Sequence, residues 1–463
     1  MSRVLNNELI YNEEDLPLQS HRRIAEFENN RGNLNGGGTA YIKIPNLRNG
    51  VLDCSGAFVK FTVQSSLIGT NLPHTNAANA LKSQETLVLS EQGAVSFIRK
   101  IDIFSNSALV ASIDQANKLA AILSVSNNGL NSQNAKSICD GSSLSANGDL
   151  IGNVIVDTYG SFTSTSNTGV STKTPEMTFC INNGILACLG ESTMPIFALK
   201  NGIELQIEFE SEVRVSYAGL FDAALPTTIT GGTNSFSNIS YVCPVIEFED
   251  SSMEAIVSRN GFGSKDVMWS GVGHHSSIVN LTKAEQTAGG LVTKLVANNR
   301  FKSLKSLHIG AFDAPSIGLG RGSYNTPKIP FSSIQYRMNG LEYPINRIDT
   351  VSKVVQNTIS CHSNNSNSVG STFMKVTDTA LDYRQDANAA AIASVPRGVS
   401  GISLETWAET DSISGLDVSE SDTEVLFNLK AAVALASLSL CFVSTYDVIY
   451  VVNELGVLSA SSN

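Results

Sequence analysis

Residues 203–209 read Ile-Glu-Leu-Gln-Ile-Glu-Phe, so four apolar side chains alternate with three polar ones. Successive side chains of a β-strand point to opposite faces, so this alternation predicts a strand with one face in a core and the other in water. Other runs rich in apolar residues lie at residues 41–45, 97–104, 301–309 and 425–429. The chain therefore reads as a protein of many short strands.

The amino-acid composition supports an all-β fold. Hydrophobic residues make up 42% of the 463-residue chain, which is enough for a sizeable core. Charged residues make up only 16%, against about 25% in an ordinary soluble domain, and there are 36 glycines. This balance favours strands and turns over coiled coils and helical bundles. The length allows two to four domains, or two all-β domains of about 200–250 residues.

Two segments predict hairpins in corresponding parts of the two halves. Asn339-Gly340 separates runs at residues 333–338 and 341–344, and Asn-Gly between such runs is a strong hairpin signal because both turn positions need positive φ. Residues 97–110 form a similar pattern in the first half, which suggests a duplication. Apolar residues at helical spacing predict a short helix over residues 116–122, and a second short helix is expected at residues 380–393.

The predicted organisation is an arm followed by two units. Residues 1–38 are polar and end in three glycines, which predicts an extended N-terminal arm and a flexible joint. We place the first unit at residues 39–250 and the second at 251–463. The apolar tract at residues 431–452 is interrupted by polar residues and is predicted to form two strands and a turn rather than a membrane span.

Charge and cysteine content limit the classes of partner and compartment. The formal net charge is −11, so the chain lacks the surplus of Lys and Arg needed to coat nucleic acid, and we expect no sequence-specific nucleic-acid binding. The seven cysteines are odd in number and include no Cys-x-x-Cys pair. We interpret them as buried free thiols of a protein made in a reducing compartment. The first 20 residues lack the apolar segment of a secretory signal.

No sequence motif predicts catalysis or cofactor binding. The chain has no His-Glu-x-x-His, Walker A or Gly-x-Ser-x-Gly pattern. Residues 318–322 are Gly-rich, but they lack the strand-to-helix setting of a phosphate-binding loop. His274 and His275 are a candidate metal pair, yet neighbours on a strand point to opposite faces. Catalytic, cofactor-binding and metal residues are therefore all predicted to be absent, and the chain is predicted not to be an enzyme.

Two further polar patterns have ordinary explanations. Glu204, Gln206 and Glu208 share one strand face, whereas the paired carboxylates of a glycosidase converge from two elements about 5–10 Å apart. We interpret them as a solvated face. Asn238, Asn280 and Asn364 begin glycosylation sequons, which we treat as chance matches because no signal peptide is recognisable.

The order of several segments resembles that in a known family. Those segments are residues 41–45, 50–55 and 58–61 at the opening, 97–110, then 195–199 with 203–209, then 301–307 and 334–344. In this order and spacing they are similar to the double jelly-roll major capsid proteins of the adenovirus, polinton-like virus and virophage lineage of DNA viruses. The resemblance covers about residues 40–455.

This resemblance implies a fold and a function. The fold would be all-β, with two tandem eight-stranded jelly rolls, short helices and long loops. The function would be that of a major capsid protein that forms a pseudo-hexameric homotrimer and tiles an icosahedral virion shell enclosing DNA. Implied partners are neighbouring capsomers, a separate vertex (penton) protein and minor capsid proteins; a membrane partner stays undetermined. The protein would be made inside the host cell and reside in the virion.

Two alternatives remain open from the sequence. One is a non-viral β-sandwich module that binds glycans through its loops, and the other is a β-sandwich glycoside hydrolase. Both need aromatic side chains to stack on sugars. Only two tryptophans, Trp269 and Trp407, and an aromatic content of 7% weigh against both.

Overall fold

The computed structural model describes residues 19–70, 86–89, 93–127, 170–173, 177–180, 193–211, 215–218, 228–260, 266–281, 290–296, 300–313, 331–361, 399–405, 414–420, 423–429 and 438–461. Strands dominate these residues, with short helices between them. The Gly-rich residues 318–322, the sequon at Asn364 and the helix predicted at 380–393 lie outside the described residues.

The first half contains fourteen strands among the described residues. They are β1 Ser20–Glu28, β2 Leu34–Asn35, β3 Thr39–Ile44, β4 Gly50–Asp53, β5 Phe58–Thr70, β6 Thr86–Leu89, β7 Ile98–Ser105, β8 Ala108–Asp114, β9 Val170–Lys173, β10 Met177–Cys180, β11 Thr193–Met194, β12 Ile203–Phe209, β13 Val215–Ala218 and β14 Thr228–Phe248. Helix α1, Ala116–Asn127, follows β8.

The second half contains nine strands and two helices among the described residues. The helices are α2 Asp250–Asn260 and α3 Val351–Ser360. The strands are β15 Val267–Leu281, β16 Gly290–Val296, β17 Leu304–Asp313, β18 Phe331–Met338, β19 Leu341–Ile348, β20 Ser400–Ser403, β21 Thr423–Leu429, β22 Leu438–Val452 and β23 Leu458–Ser461.

Two antiparallel sheets form the body of each half. In the first half, sheet A has the order β1-β14-β5-β10 and sheet B the order β3-β12-β7-β8. In the second half, sheet C has the order β15-β22-β17-β20 and sheet D the order β16-β21-β18-β19. Strands β2, β4, β9 and β11 extend sheet A, and β23 extends sheet C.

The two halves have the same strand order. If the eight main strands of each half are numbered along the chain, the first sheet reads 1-8-3-6 and the second 2-7-4-5 in both cases. This interleaving of distant strands in two facing sheets is the jelly roll. The predicted fold class of two tandem eight-stranded jelly rolls is therefore confirmed, and the hairpins β7–β8 and β18–β19 occupy the same place in their rolls.

The alternating residues 203–209 form β12, which lies inside sheet B. It pairs with β3 on one side and β7 on the other, so that Leu205 lies opposite Ile42 and Ile103. Its apolar residues are buried and its polar residues are half-buried, in strict alternation. On the buried face, the ring of Phe209 stacks on that of Phe236 of β14, with 4.2 Å between the ring centroids. This contact joins sheet B to sheet A.

Two elements differ from their sequence-based predictions. Residues 20–28 and 34–35 of the predicted N-terminal arm belong to sheet A, and β1 pairs along its whole length with β14, from Ser20 opposite Phe248 to Glu28 opposite Ser240. Residues 438–452 form the single strand β22 instead of two strands and a turn. Their polar Ser444 and Thr445 fit within that strand because β15 and β17 pair with it on both sides.

Candidate functional site

Helix α1 and strand β8 of the first roll form a surface that is buried between the two rolls. Helix α1 lies against β22 and β17, and β8 lies against β15 and β23. The buried apolar residues of α1 are Ala116, Leu119, Ala120, Ala121, Ile122 and Leu123. They cover more than one side of the helix, as expected for a helix between two apolar surfaces.

The second roll meets α1 with the outer face of sheet C. Leu440 and Phe442 of β22 point into the core of the second roll, whereas Cys441 and Val443 belong to a cluster continuous with the core of the first roll. Phe312 of β17 joins that cluster and is fully buried. The two rolls therefore share an apolar interface.

Hydrogen bonds to backbone carbonyl oxygens also join the two rolls. Ser276 of β15 donates through Oγ to the carbonyl oxygen of Asp114, the last residue of β8. At the opposite end, the backbone N–H of Lys200 donates to the carbonyl oxygen of Gly456 at 3.0 Å. A side chain on Gly456, whose φ is +73°, would approach the carbonyl oxygen of Ala198 to 2.9 Å, so this close approach requires glycine.

A half-buried ionic group lies at one end of the second roll. Lys305 Nζ lies 3.1 Å from Glu405 Oε1 and 3.4 Å from Asp447 Oδ1. The other oxygen of Asp447 accepts from the hydroxyl of Ser303 and from the backbone N–H of Ser414. Burial by itself would lower the pKa of Lys305, but the two carboxylates outweigh burial and raise it. The lysine stays charged, so the group ties three chain segments together.

The structure separates the two histidines of the candidate metal pair. His274 is buried, and its Nδ1 lies 3.2 Å from the hydroxyl oxygen of Thr445. The ring of His275 packs edge-on to Phe301, and burial lowers its pKa against an opposing effect of Asp114. Within the described part of the chain, no group of three His, Cys, Asp or Glu side chains is arranged to hold a metal ion.

The polar side chains of β12 form hydrogen bonds and an ion pair on the surface of sheet B. Glu204 accepts a hydrogen bond from Gln206 at 2.7 Å, and Glu208 pairs with Arg99 at 3.0 Å. The sequon residues Asn238 and Asn280 are both exposed, and Asn280 accepts a hydrogen bond from Ser439.

The cysteine side chains that the structure describes are thiols. They are Cys54, Cys243, Cys361 and Cys441, and three of them are buried. Cys243 lies beside Cys54 and Tyr241 in the first roll, and a hydrogen bond with Cys54 lowers its pKa. Among the helices in the described ranges, none has the length and apolar character to cross a membrane.

A cavity lies where α2 meets the ends of β15 and β22, and no sequence pattern predicted it. It has a volume of about 550 Å³, and its lining includes Arg48, Met253, Glu254, Val267 and Val452. Asn49 Nδ2 donates to Asp250 Oδ1 at 2.6 Å beside it. Its residues combine apolar and charged groups without a convergent catalytic set.

The main feature of the described residues is therefore a structural interface, through which two jelly rolls are joined by apolar contacts. No family model matches the chain, and no curated protein matches it in sequence. Solved structures do match it, and they are major capsid proteins of double jelly-roll viruses. The match to the PBCV-1 virus capsid has a TM-score of 0.55 at 9% identity and covers 98% of this chain and 99% of that one.

Two further solved structures give the same result. The Sputnik virophage structure matches with a TM-score of 0.56 at 11% identity, covering 98% of this chain and 91% of that one. The mavirus major capsid protein matches with a TM-score of 0.55 at 11% identity, covering 95% and 90%. At these identities the matches establish the fold, and they confirm the double jelly roll over nearly the whole chain.

Proposed function

We propose that the chain is a major capsid protein that assembles as a pseudo-hexameric homotrimer and tiles an icosahedral virion shell enclosing DNA. The observation that carries this proposal is the repetition of one strand order in two rolls packed side by side through a buried interface. Two similar wedges per chain give six wedges in a trimer, and such a tile covers a large shell with few kinds of contact.

The proposal includes a division of the chain into two domains and a set of partners. Helix α2 begins at Asp250, directly after the last strand of the first roll, and we propose the boundary between the two domains there. The first domain then includes β1 and begins before residue 39. The proposed partners are neighbouring capsomers, a vertex protein and minor capsid proteins in the virion, with synthesis inside the host cell.

The proposal is tested by the mass and shape of the purified protein. Multi-angle light scattering should give three chain masses, and negative-stain microscopy should show pseudo-hexagonal particles or closed shells. A stable monomer that binds an array of glycans would instead support the sugar-binding module and would overturn the proposal.

A further inference from the structure

The contact between the two rolls joins two different surfaces. The first roll contributes its fifth main strand, β8, and the helix that follows it, α1. The second roll contributes the outer face of its first sheet, sheet C, together with β23. A contact between unlike surfaces leaves one copy of each surface unused at the two ends of the pair, and it builds rings or filaments when it repeats.

The equivalent unused surfaces can be identified from the strand order. In the second roll, the fifth main strand is β19 and the helix after it is α3. In the first roll, the equivalent of the outer face of sheet C is the outer face of sheet A. Its strands β1 and β14 correspond to β15 and β22 of sheet C. We name these the donor surface (β19 and α3) and the acceptor surface (the outer face of β1 and β14).

The donor surface exposes large apolar side chains. Ile345 in β19 is 89% exposed, and Leu341 at the start of the same strand is 60% exposed. Among the described strands, β19 is also the edge of sheet D, paired on one side with β18. An exposed apolar edge strand is a liability unless another surface covers it.

The acceptor surface exposes one large apolar side chain between charged pairs. Ile24 in β1 is 74% exposed, and its register partner Pro244 of β14 is buried. Its neighbour Ala25 is buried in the core, so Ile24 points to the outer face of sheet A. The ion pairs Arg22–Asp53, at 2.7 Å, and Glu26–Lys60, at 2.8 Å, flank it. An apolar centre with a polar rim is typical of a protein interface.

We propose that the donor surface of one chain packs on the acceptor surface of a second copy, with Ile345 and Leu341 against the region of Ile24. The contact repeats between chains the relation that β8 and α1 have to sheet C within the chain. This inference rests on the proposed function, because the trimer is the assembly in which three such contacts close a ring of six rolls.

Charge substitutions at the two surfaces test the proposal. Ile345→Asp and Ile24→Asp should each raise the concentration at which half of the chains are assembled by about ten-fold or more, as loss of an interface anchor does. Leu455→Asp is the matched control, because Leu455 is 74% exposed but lies on neither surface, and it should leave assembly unchanged. Light scattering over a concentration series measures all four proteins, and circular dichroism verifies that each is folded.

Cross-linking provides a second test that does not depend on weakening the assembly. The double variant Ile24→Cys/Ile345→Cys, treated with a short bismaleimide, should give covalently linked dimers and trimers on a denaturing gel. Each single variant should give far less of these products.

The outcomes separate the inference from the proposed function. A wild-type trimer that persists unchanged in both aspartate variants, or a trimeric double-cysteine variant that does not cross-link, overturns the inference and leaves the capsid role standing. A wild-type protein that is monomeric at every concentration overturns the proposed function itself.

Discussion

The hydroxyl of Ser276 donates a hydrogen bond to the backbone carbonyl oxygen of Asp114, and this bond crosses from one jelly roll to the other. Asp114 ends β8 two residues before α1 begins, and Ser276 lies in the middle of β15. The bond therefore lies at the point where the helix between the rolls leaves its own sheet. It positions α1 against sheet C, where Cys441 and Val443 are buried.

The thiol of Cys441 should report whether this interface is closed. Burial raises the pKa of Cys441 to about 12, although Lys118 opposes the increase, so the reactive thiolate is scarce at neutral pH. We expect Cys441 to resist N-ethylmaleimide at pH about 8 in the folded protein and to react fully in guanidinium chloride. Peptide mass spectrometry after timed labelling measures this. Equal labelling rates in the two conditions would show that the interface opens readily.

Removing the positive charge at the end of the second roll should destabilise the protein. Lys305→Met leaves the carboxylates of Glu405 and Asp447 without their cation, and Asp447 is only 8% exposed. We expect a loss of about 2–3 kcal/mol, less than for a fully buried pair because 25% of the Lys305 side chain is exposed. Urea denaturation measures it. The control is Lys353→Met, whose exposed pair with Asp349 should contribute less than about 1 kcal/mol.

The same lysine predicts the direction of a pH effect. The pKa of Lys305 is raised in the folded state above the usual 10.5. Its stabilising contribution is therefore fully present below that usual value and is lost as the pH rises through the raised pKa. The difference in unfolding free energy between wild type and Lys305→Met should stay constant near neutral pH and shrink only in strong alkali. A difference that already shrinks between pH about 6 and 8 would assign the effect to another group.

Two glycines with similar backbone angles should tolerate alanine very differently. Gly202 has φ +73°, and an added Cβ would lie 2.1 Å from the carbonyl oxygen of Ile44. Gly340 has φ +75° in the β18–β19 turn, with open space around it. Gly340→Ala should cost about 1–2 kcal/mol from the backbone conformation alone. Gly202→Ala should cost distinctly more because the backbone must move; similar unfolding free energies for the two variants would contradict this.

Truncating an aromatic residue between sheets A and B should strongly destabilise the protein. Phe209 is fully buried, stacks on Phe236 at 4.2 Å and meets Phe61 edge-on at 5.2 Å. We expect Phe209→Ala to reduce the free energy of unfolding by about 3–5 kcal/mol, since it leaves a cavity. Thermal and denaturant unfolding measure the loss. Leu455→Ala, at a site 74% exposed, is the control and should change stability by less than about 0.5 kcal/mol.

Elements with a strong local signal were predicted well. Strand β12 has the bounds of its alternating heptapeptide, Ile203–Phe209. In the β18–β19 hairpin, Asn339 and Gly340 both have positive φ, as the dipeptide predicted. Helix α1 begins at Ala116, the first of the residues at helical spacing, although it continues beyond residue 122 to Asn127. In each case the information lies within a few neighbouring residues.

Elements that depend on distant partners were missed. Strand β1 carries charged residues and a single buried residue, Ala25, so nothing local distinguished it from an arm; its pairing with β14 more than 200 residues away makes it a strand. The polar centre of β22 reads as a turn until β15 and β17 satisfy its backbone from both sides. Lys305, Glu405 and Asp447 are likewise far apart in sequence and meet only in the folded roll.

The sequence by itself determined that this protein is all-β and that its halves are alike, because alternation, turn residues and composition are local properties. Only the tertiary structure decided which strands pair, which face of each sheet is covered, and which surfaces are left for a partner. Those features depend on contacts between residues hundreds of positions apart, and local patterns are compatible with many such pairings. The interface roles proposed for the exposed residues Ile24 and Ile345 depend on the positions of their strands in the two rolls.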